Sequence, residues 1–91
     1  MTNPANKTVL ITGAGGGFGR QLVRQFRAAG AKLILTDVDD SALQSAAADA
    51  GDDLVASFIA DLASEEGCDA VVQACASQDV VPDIVVNNAG N

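Results

Sequence analysis

The sequence has 91 residues, 48% hydrophobic and 19% charged, enough apolar side chain for one small packed core and too little charge for a disordered chain. Its net charge of −7 argues against general binding to nucleic acid or to an anionic membrane. Histidine, tyrosine and tryptophan are absent, so histidine metal sites, histidine general bases and tyrosine proton donors are excluded within these residues, and no metal site is expected.

Along the chain, Met1 to Lys7 is polar, contains Pro4 and reads as a loose arm with no signal-peptide layout. Thr8–Thr12 is a nearly all-apolar strand, as expected of one buried on both faces. It runs into five glycines spread over seven positions, Gly13, Gly15, Gly16, Gly17 and Gly19. An amphipathic helix follows, with Phe18, Leu22, Val23 and Phe26 on one face and Arg20, Arg24 and Arg27 on another. Gly30 is its expected stop. Lys32–Thr36 is the second strand, ending at Asp37. Asp39 or Asp40 caps an alanine-rich helix over Ser41–Ala50, stopped by Gly51. Leu54–Ile59 is the third strand, followed by Ala60, Asp61 and Leu62. Ser64, Glu65 and Glu66 open a third helix to about Ser77, its first turn weakened by Gly67. Pro82 and Asp83 introduce the fourth strand, Ile84–Asn87.

Cys68 and Cys75 lie seven apart on the third helix, about 10 Å by helical rise, too far for a disulfide. They read as buried thiols of a reducing compartment. No apolar run approaches the ~20 residues of a membrane span, so a cytoplasmic location is expected.

The alternation βαβαβαβ with short connections predicts a three-layer α/β/α, Rossmann-type fold. Right-handed crossovers give a parallel sheet of four strands in the order 3-2-1-4, with helices on both faces. The order reverses between strands 1 and 4, and a ligand is expected there, beyond the strand C-termini. The glycine turn, Asp37, Asp61 and Asn88 all fall at that end.

The glycines do not follow G-x-G-x-x-G, because Phe18 stands where Gly13 and Gly15 require a third glycine, and no Gly-Lys-Ser/Thr makes a Walker A loop. What fits is T-G-x-x-x-G-x-G, as Thr12, Gly13, Gly17 and Gly19. A simple linker or tight turn is the alternative, and the apolar strand before the run and the amphipathic helix after it weigh against that. A strand, a glycine turn and a helix in sequence aim unpaired amides and the positive end of the helix dipole at a phosphate. Asp37, 18 residues after Gly19, can accept hydrogen bonds from the adenosine ribose hydroxyls and would repel a 2′-phosphate. No basic residue follows it or stands in the turn, so NAD is expected over NADP. Asp37 could instead cap a turn, a task open equally to Asp39 or Asp40.

With Thr12-Gly13-Ala14-Gly15-Gly16-Gly17-Phe18-Gly19, Asp61-Leu62 and Asp83-Ile84-Val85-Val86-Asn87-Asn88-Ala89-Gly90 in this order, the chain resembles the short-chain dehydrogenase/reductases over essentially its whole length. The resemblance implies that Gly13, Gly15, Gly16, Gly17 and Gly19 hold the pyrophosphate with Phe18 beside it. It also implies that Asp37 takes the ribose hydroxyls, Asp61 bonds the adenine and Leu62 lines its pocket, while Asn88, Ala89 and Gly90 line the dinucleotide. The family's chemistry, NAD-dependent alcohol and carbonyl oxidoreduction, depends on Ser, Tyr, Lys and a further Asn in a second half beyond Asn91. Residues 1–91 are therefore expected to be the NAD-binding N-terminal portion of a longer fold, with no catalytic residue of their own. The alternatives are a free-standing nucleotide-binding module and a structural module completed by a partner chain. The fourth strand would be internal in the complete fold. Its apolar edge is expected to make a homo-oligomer or to accept another chain.

Overall fold

The computed structural model describes residues 5–61, 65–77 and 80–88, and contains β1 (Thr8–Thr12), α1 (Gly17–Ala28), β2 (Lys32–Asp37), α2 (Asp40–Ala50), a 3₁₀ turn (Gly51–Asp53), β3 (Leu54–Ile59), α3 (Glu65–Ser77) and β4 (Ile84–Val86). The four strands form one parallel sheet in the order β3-β2-β1-β4, the expected topology. The N-terminal residues 1–4, Leu62, Ser64, Ala89, Gly90 and the side chain of Cys68 lie outside what is described.

β1 is central, and its alternating side chains divide the core in two. Val9 and Ile11 face one layer with Leu33 and Leu35 of β2, covered by Val23 of α1 and by Leu43, Ala46 and Ala50 of α2. Leu10 and Ile34 face the other, with Ala56, Ala60, Val71 and Cys75, so among the described residues α3 is the one helix on that side. Cys75 is free and buried, as expected. Burying the middle of β1 on both faces requires consecutive apolar residues, and Val9, Leu10 and Ile11 supply them.

The structure differs from the sequence reading at four points. Phe18 does not join Leu22, Val23 and Phe26 against the core: it is 66% exposed. α1 begins at the end of the sheet, so its first turn has no strand beneath it. β4 stops at Val86, one residue short of the expected Asn87, because Asn87 and Asn88 turn their polar groups toward Thr12 and Gly13. β2 extends to Asp37, which pairs with Ile59 of β3. A register shift between Leu33 and Ile34 leaves Val55 out of the β2 pairing, an irregularity that sequence alternation does not reveal.

Of the two candidate caps for α2, Asp39 does the work, accepting from the amides of Ser41 and Ala42 at 3.0 and 3.4 Å. At the opposite edge of the sheet, β4 is tied to β1 by a reciprocal pair: Thr8 N donates to Asp83 Oδ2 at 2.9 Å and Asp83 N to Thr8 O at 2.8 Å. Among the described residues no helix is long and apolar enough to cross a membrane.

Thr36 is 1% exposed, and its hydroxyl has no hydrogen-bond partner among the described residues. An unpaired buried hydroxyl costs about 1–3 kcal/mol of desolvation. Thr36→Val keeps the β-branched shape and is expected to raise stability by about 1 kcal/mol in urea denaturation; a loss of stability would contradict the assignment of that hydroxyl as unpaired.

Candidate functional site

All strands being parallel, their C-terminal ends share one edge of the sheet, and the loops there are the glycine turn after β1, the Asp37–Asp39 corner after β2, Asp61 after β3 and Asn87–Asn88 after β4. The glycine turn is shaped by contacts that only glycine permits. Gly13 has φ +64°, in the left-handed region. A Cβ on Gly19 would collide with the Gly13 carbonyl and fall 2.9 Å from Ala14 Cα, so α1 can approach its own turn only with hydrogen there. A Cβ on Gly15 would fall 2.6 Å from the carbonyl carbon of Ala42 in α2. Gly17 is different: a Cβ there meets nothing within 4 Å. Packing of the chain upon itself therefore explains Gly15 and Gly19, but not Gly17.

Ala14 N donates to Thr36 O at 3.0 Å, Gly16 N to Gly13 O at 3.3 Å and Arg20 N to Gly16 O at 2.8 Å. Gly16 is the N-cap of α1, yet no side chain caps that end and no acidic residue stands in the first turn. Among the described residues, then, the start of α1 has no capping side chain, and the space beside Gly17 is open. That fits an anion such as a diphosphate, and a side chain at Gly17 would occupy the room it needs.

Asp37 lies beside this turn. Its Oδ2 accepts from Gly15 N at 2.8 Å and its Oδ1 from Asp39 N at 3.0 Å. The turn-capping role that the sequence left open to Asp37 is therefore present, alongside the helix-capping role of Asp39. The nearby cations are committed elsewhere. Arg20 and Arg24 reach Asp49 at 3.0 and 3.4 Å, and Arg27 and Lys32 reach Asp53 at 3.4 and 3.0 Å. The Arg20 hydrogen bond, with its charge and that of Arg24, holds the Asp49 carboxyl below its ordinary value against the opposing effect of burial. Lys32 and Arg27 do the same for Asp53. These arginines tie α1 to α2 and to the segment after it, and their charge is spent on those carboxylates.

Asn88 closes the side of the site next to β4. Its backbone N donates to Thr12 Oγ1 at 2.9 Å and its Nδ2 to the Gly13 carbonyl at 3.2 Å. The Thr12 hydroxyl lies 3.4 Å from Val86 O and 3.3 Å from Asn87 Oδ1, its available acceptors. Thr12 thus ties β4 to the start of the turn, a task that the spacing pattern recorded only as a motif position. Asp61 is exposed beyond β3, beside the end of β2, where Ala60 N donates to Asp37 O at 3.0 Å. Gly67 explains itself here: a Cβ on it would strike the Asp61 carbonyl, so the glycine that weakens α3 lets the helix seat against Asp61. Of the residues expected to line a dinucleotide, Gly13, Gly15, Gly16, Gly17, Phe18, Gly19, Asp37, Asp61 and Asn88 are gathered at this one edge. Phe18 stands exposed at the start of α1, and Leu62, Ala89 and Gly90 lie outside the described residues.

Known proteins resemble this chain in sequence and in fold. Over 84 residues, and 90% of its own length, the chain is 34% identical to a probable oxidoreductase, EphD, of Mycobacterium tuberculosis. It is 41% identical over 81 residues to the L-tagatose-forming galactitol 2-dehydrogenase of Cereibacter sphaeroides. It spans 14% and 31% of the lengths of these two relatives. A 3-ketoacyl-(acyl-carrier-protein) reductase from Brucella melitensis, solved with NADH, superposes with a TM-score of 0.78 at 37% identity, over 89% of this chain and 33% of that one. The RhlG/NADP complex of Pseudomonas aeruginosa gives a TM-score of 0.84 at 29% identity, over 99% and 38%. Residues 7–91 match the short chain dehydrogenase family, and the chain belongs to it.

Proposed function

We propose that residues 7–91 are the dinucleotide-binding portion of a longer NAD-dependent oxidoreductase acting on an alcohol or carbonyl substrate. The observation that carries this reading is the uncapped start of α1 opening onto free space at Gly17, with a carboxylate at the tip of the adjacent strand. In this reading the diphosphate lies on the amides of the Gly13–Gly19 turn and Phe18 flanks it. Asp37 accepts hydrogen bonds from the adenosine ribose hydroxyls, and Asp61 with Leu62 holds the adenine. Asn88, Ala89 and Gly90 line the remaining side. The bound nicotinamide supplies hydride transfer. What these residues contribute is binding and orientation; with no tyrosine or histidine in the sequence, the proton donor is assigned to residues beyond this segment.

The contrast between two glycines tests the site. Gly17→Ala is expected to leave stability within about 0.5 kcal/mol, as at ordinary surface positions, while weakening NAD⁺ binding roughly tenfold through lost close approach. Gly19→Ala is expected to cost about 1–3 kcal/mol in denaturation because α1 must move off the turn. Calorimetric titration together with urea unfolding reads both effects; NAD⁺ affinity indifferent to Gly17→Ala would remove the site.

NAD is proposed over NADP, although a structural relative was solved with NADP. The support is local: a 2′-phosphate would meet Asp37, and the arginines of α1 are already paired with Asp49 and Asp53. NAD⁺ is expected to bind at least about tenfold more tightly than NADP⁺, the effect of a like charge in partial desolvation. Asp37→Ala is expected to narrow the gap. Equal affinities for the two, unchanged by that substitution, would overturn the ribose role.

The outer side of β4 favours completion of the fold by further polypeptide. Among the described residues β4 pairs with β1 alone, and Val81 and Val85 are 80% and 59% exposed. Val71, Val72, Cys75 and Val80 join them in an apolar groove between α3 and β4. An uncovered apolar strand edge invites pairing. The 91-residue chain alone is therefore expected to self-associate and to show no NAD(H)-linked carbonyl reduction. A monomer whose mass by light scattering is independent of concentration would count against the first expectation, and turnover by the purified chain against the second.

A further inference from the structure

We infer that Asp37 is a positioning residue for the phosphate-binding turn as well as a reader of the sugar, so that a diphosphate ligand senses it even when the ligand carries no ribose hydroxyls. The inference rests on the dinucleotide reading above and deepens it.

The two carboxylate oxygens are used on two different stretches of backbone. Oδ2 accepts from Gly15 N, within the glycine turn, at 2.8 Å; Oδ1 accepts from Asp39 N, the cap residue of α2, at 3.0 Å. Asp37 therefore bridges the turn that would carry the diphosphate to the helix lying against it. Both partners are backbone amides, so the bridge fixes where the main chain runs and leaves side-chain conformation aside. Ala14 N already donates to Thr36 O at 3.0 Å, so the end of β2 grips the turn at two consecutive amides. The second grip is the stronger kind, an N–H directed at an ionised acceptor.

Geometry makes that grip consequential. Gly15 is pressed against Ala42 so closely that no Cβ fits between them, which bars the turn from moving toward α2. The Asp37 carboxylate restrains it from moving away. Gly16 N to Gly13 O at 3.3 Å and Asn88 Nδ2 to Gly13 O at 3.2 Å hold the turn at Gly13 and Gly16, and neither engages the Gly15 amide. Without the carboxylate the turn keeps its steric wall at Ala42 and its hydrogen bonds at Ala14 and Gly13, but the Gly15 amide loses its acceptor. The amides at the start of α1 follow directly from Gly15 and Gly16, so their aim at an anion depends on that restraint.

A role confined to the ribose predicts the opposite sign for one measurement. Removing a negative charge near bound phosphates would leave unchanged, or tighten, the binding of a diphosphate that has no hydroxyls to offer. Removing a residue that holds the turn weakens it. The probes are ADP and 2′,3′-dideoxy-ADP, titrated calorimetrically into wild type, Asp37→Ala and Asp37→Asn at fixed ionic strength. Asp37→Ala is expected to weaken both ligands, 2′,3′-dideoxy-ADP by roughly tenfold, the scale of one hydrogen bond to a charged group. Asp37→Asn, whose side-chain oxygen still accepts from Gly15, is expected to return 2′,3′-dideoxy-ADP to within a few fold of wild type. In the wild type itself, the Gly15 amide is expected to exchange with solvent markedly more slowly than an unbonded amide, a measurement that needs no variant to fold. If 2′,3′-dideoxy-ADP binds Asp37→Ala as tightly as wild type or more so, or if the Gly15 amide exchanges as fast as an unbonded one, the inference is overturned while the dinucleotide reading stands. A wild type that binds ADP not at all overturns both.

Discussion

The edge of the sheet where the strands end is governed by how closely α1 approaches the turn that precedes it. Gly19 has no Cβ, so the helix backbone seats directly on the Gly13 carbonyl and on Ala14, and the turn is compressed between β1 and the helix. Gly13 can make the reversal because it adopts a positive φ. The same compression carries the first amides of α1 beyond the sheet with no side chain to cap them. Fold and candidate site therefore share one cause. A helix packed this tightly against its turn leaves its N-terminal donors presented to whatever lies outside the protein.

Around that seat, small polar groups tie the three flanking loops to the turn. Thr12 and Asn88 fasten β4, Asp37 fastens the turn to the corner that begins α2, and the bond from Ala60 N to Asp37 O fastens the end of β3 to that of β2. None of these contacts is large. Their importance comes from geometry: each joins the C-terminal end of one strand to that of its neighbour, where the ladder of the sheet no longer does so. The ion pairs of Arg20, Arg24, Arg27 and Lys32 belong to a different task. They hold α1 and β2 against Asp49 and Asp53 on the flank of the α1–α2 layer, and partly exposed pairs of this kind contribute little stability individually.

The two faces of the sheet are covered unequally, and this too bears on function. Among the described residues, two helices and the larger apolar cluster cover one face, while α3 is the one helix on the other and leaves a groove beside β4. The chain spans about a third of the solved relatives it superposes on. The well-covered face lies behind the turn and supports it. The open groove lies between α3 and β4.

Much of this was legible in the order of residues. Apolar strands alternating with helical segments, joined by short loops, determine a parallel three-layer sheet, because the handedness of each crossover leaves almost no other way to bury β1 on both faces. The glycine spacing, Asp37 at the tip of the second strand and the Asn pair after the fourth likewise marked one end of the sheet. Tertiary structure decided which glycine does what, since Gly15 and Gly19 are required by neighbours distant in sequence or folded back upon them, whereas Gly17 is not. It also exposed Phe18, which helical periodicity had assigned to the core: periodicity gives a side chain's direction but not where the underlying sheet ends. The double hydrogen bond of Asp37 is of the same kind. A carboxylate's place along the chain was readable, but the two backbone amides that converge on it come together only when β1, β2 and α2 are packed.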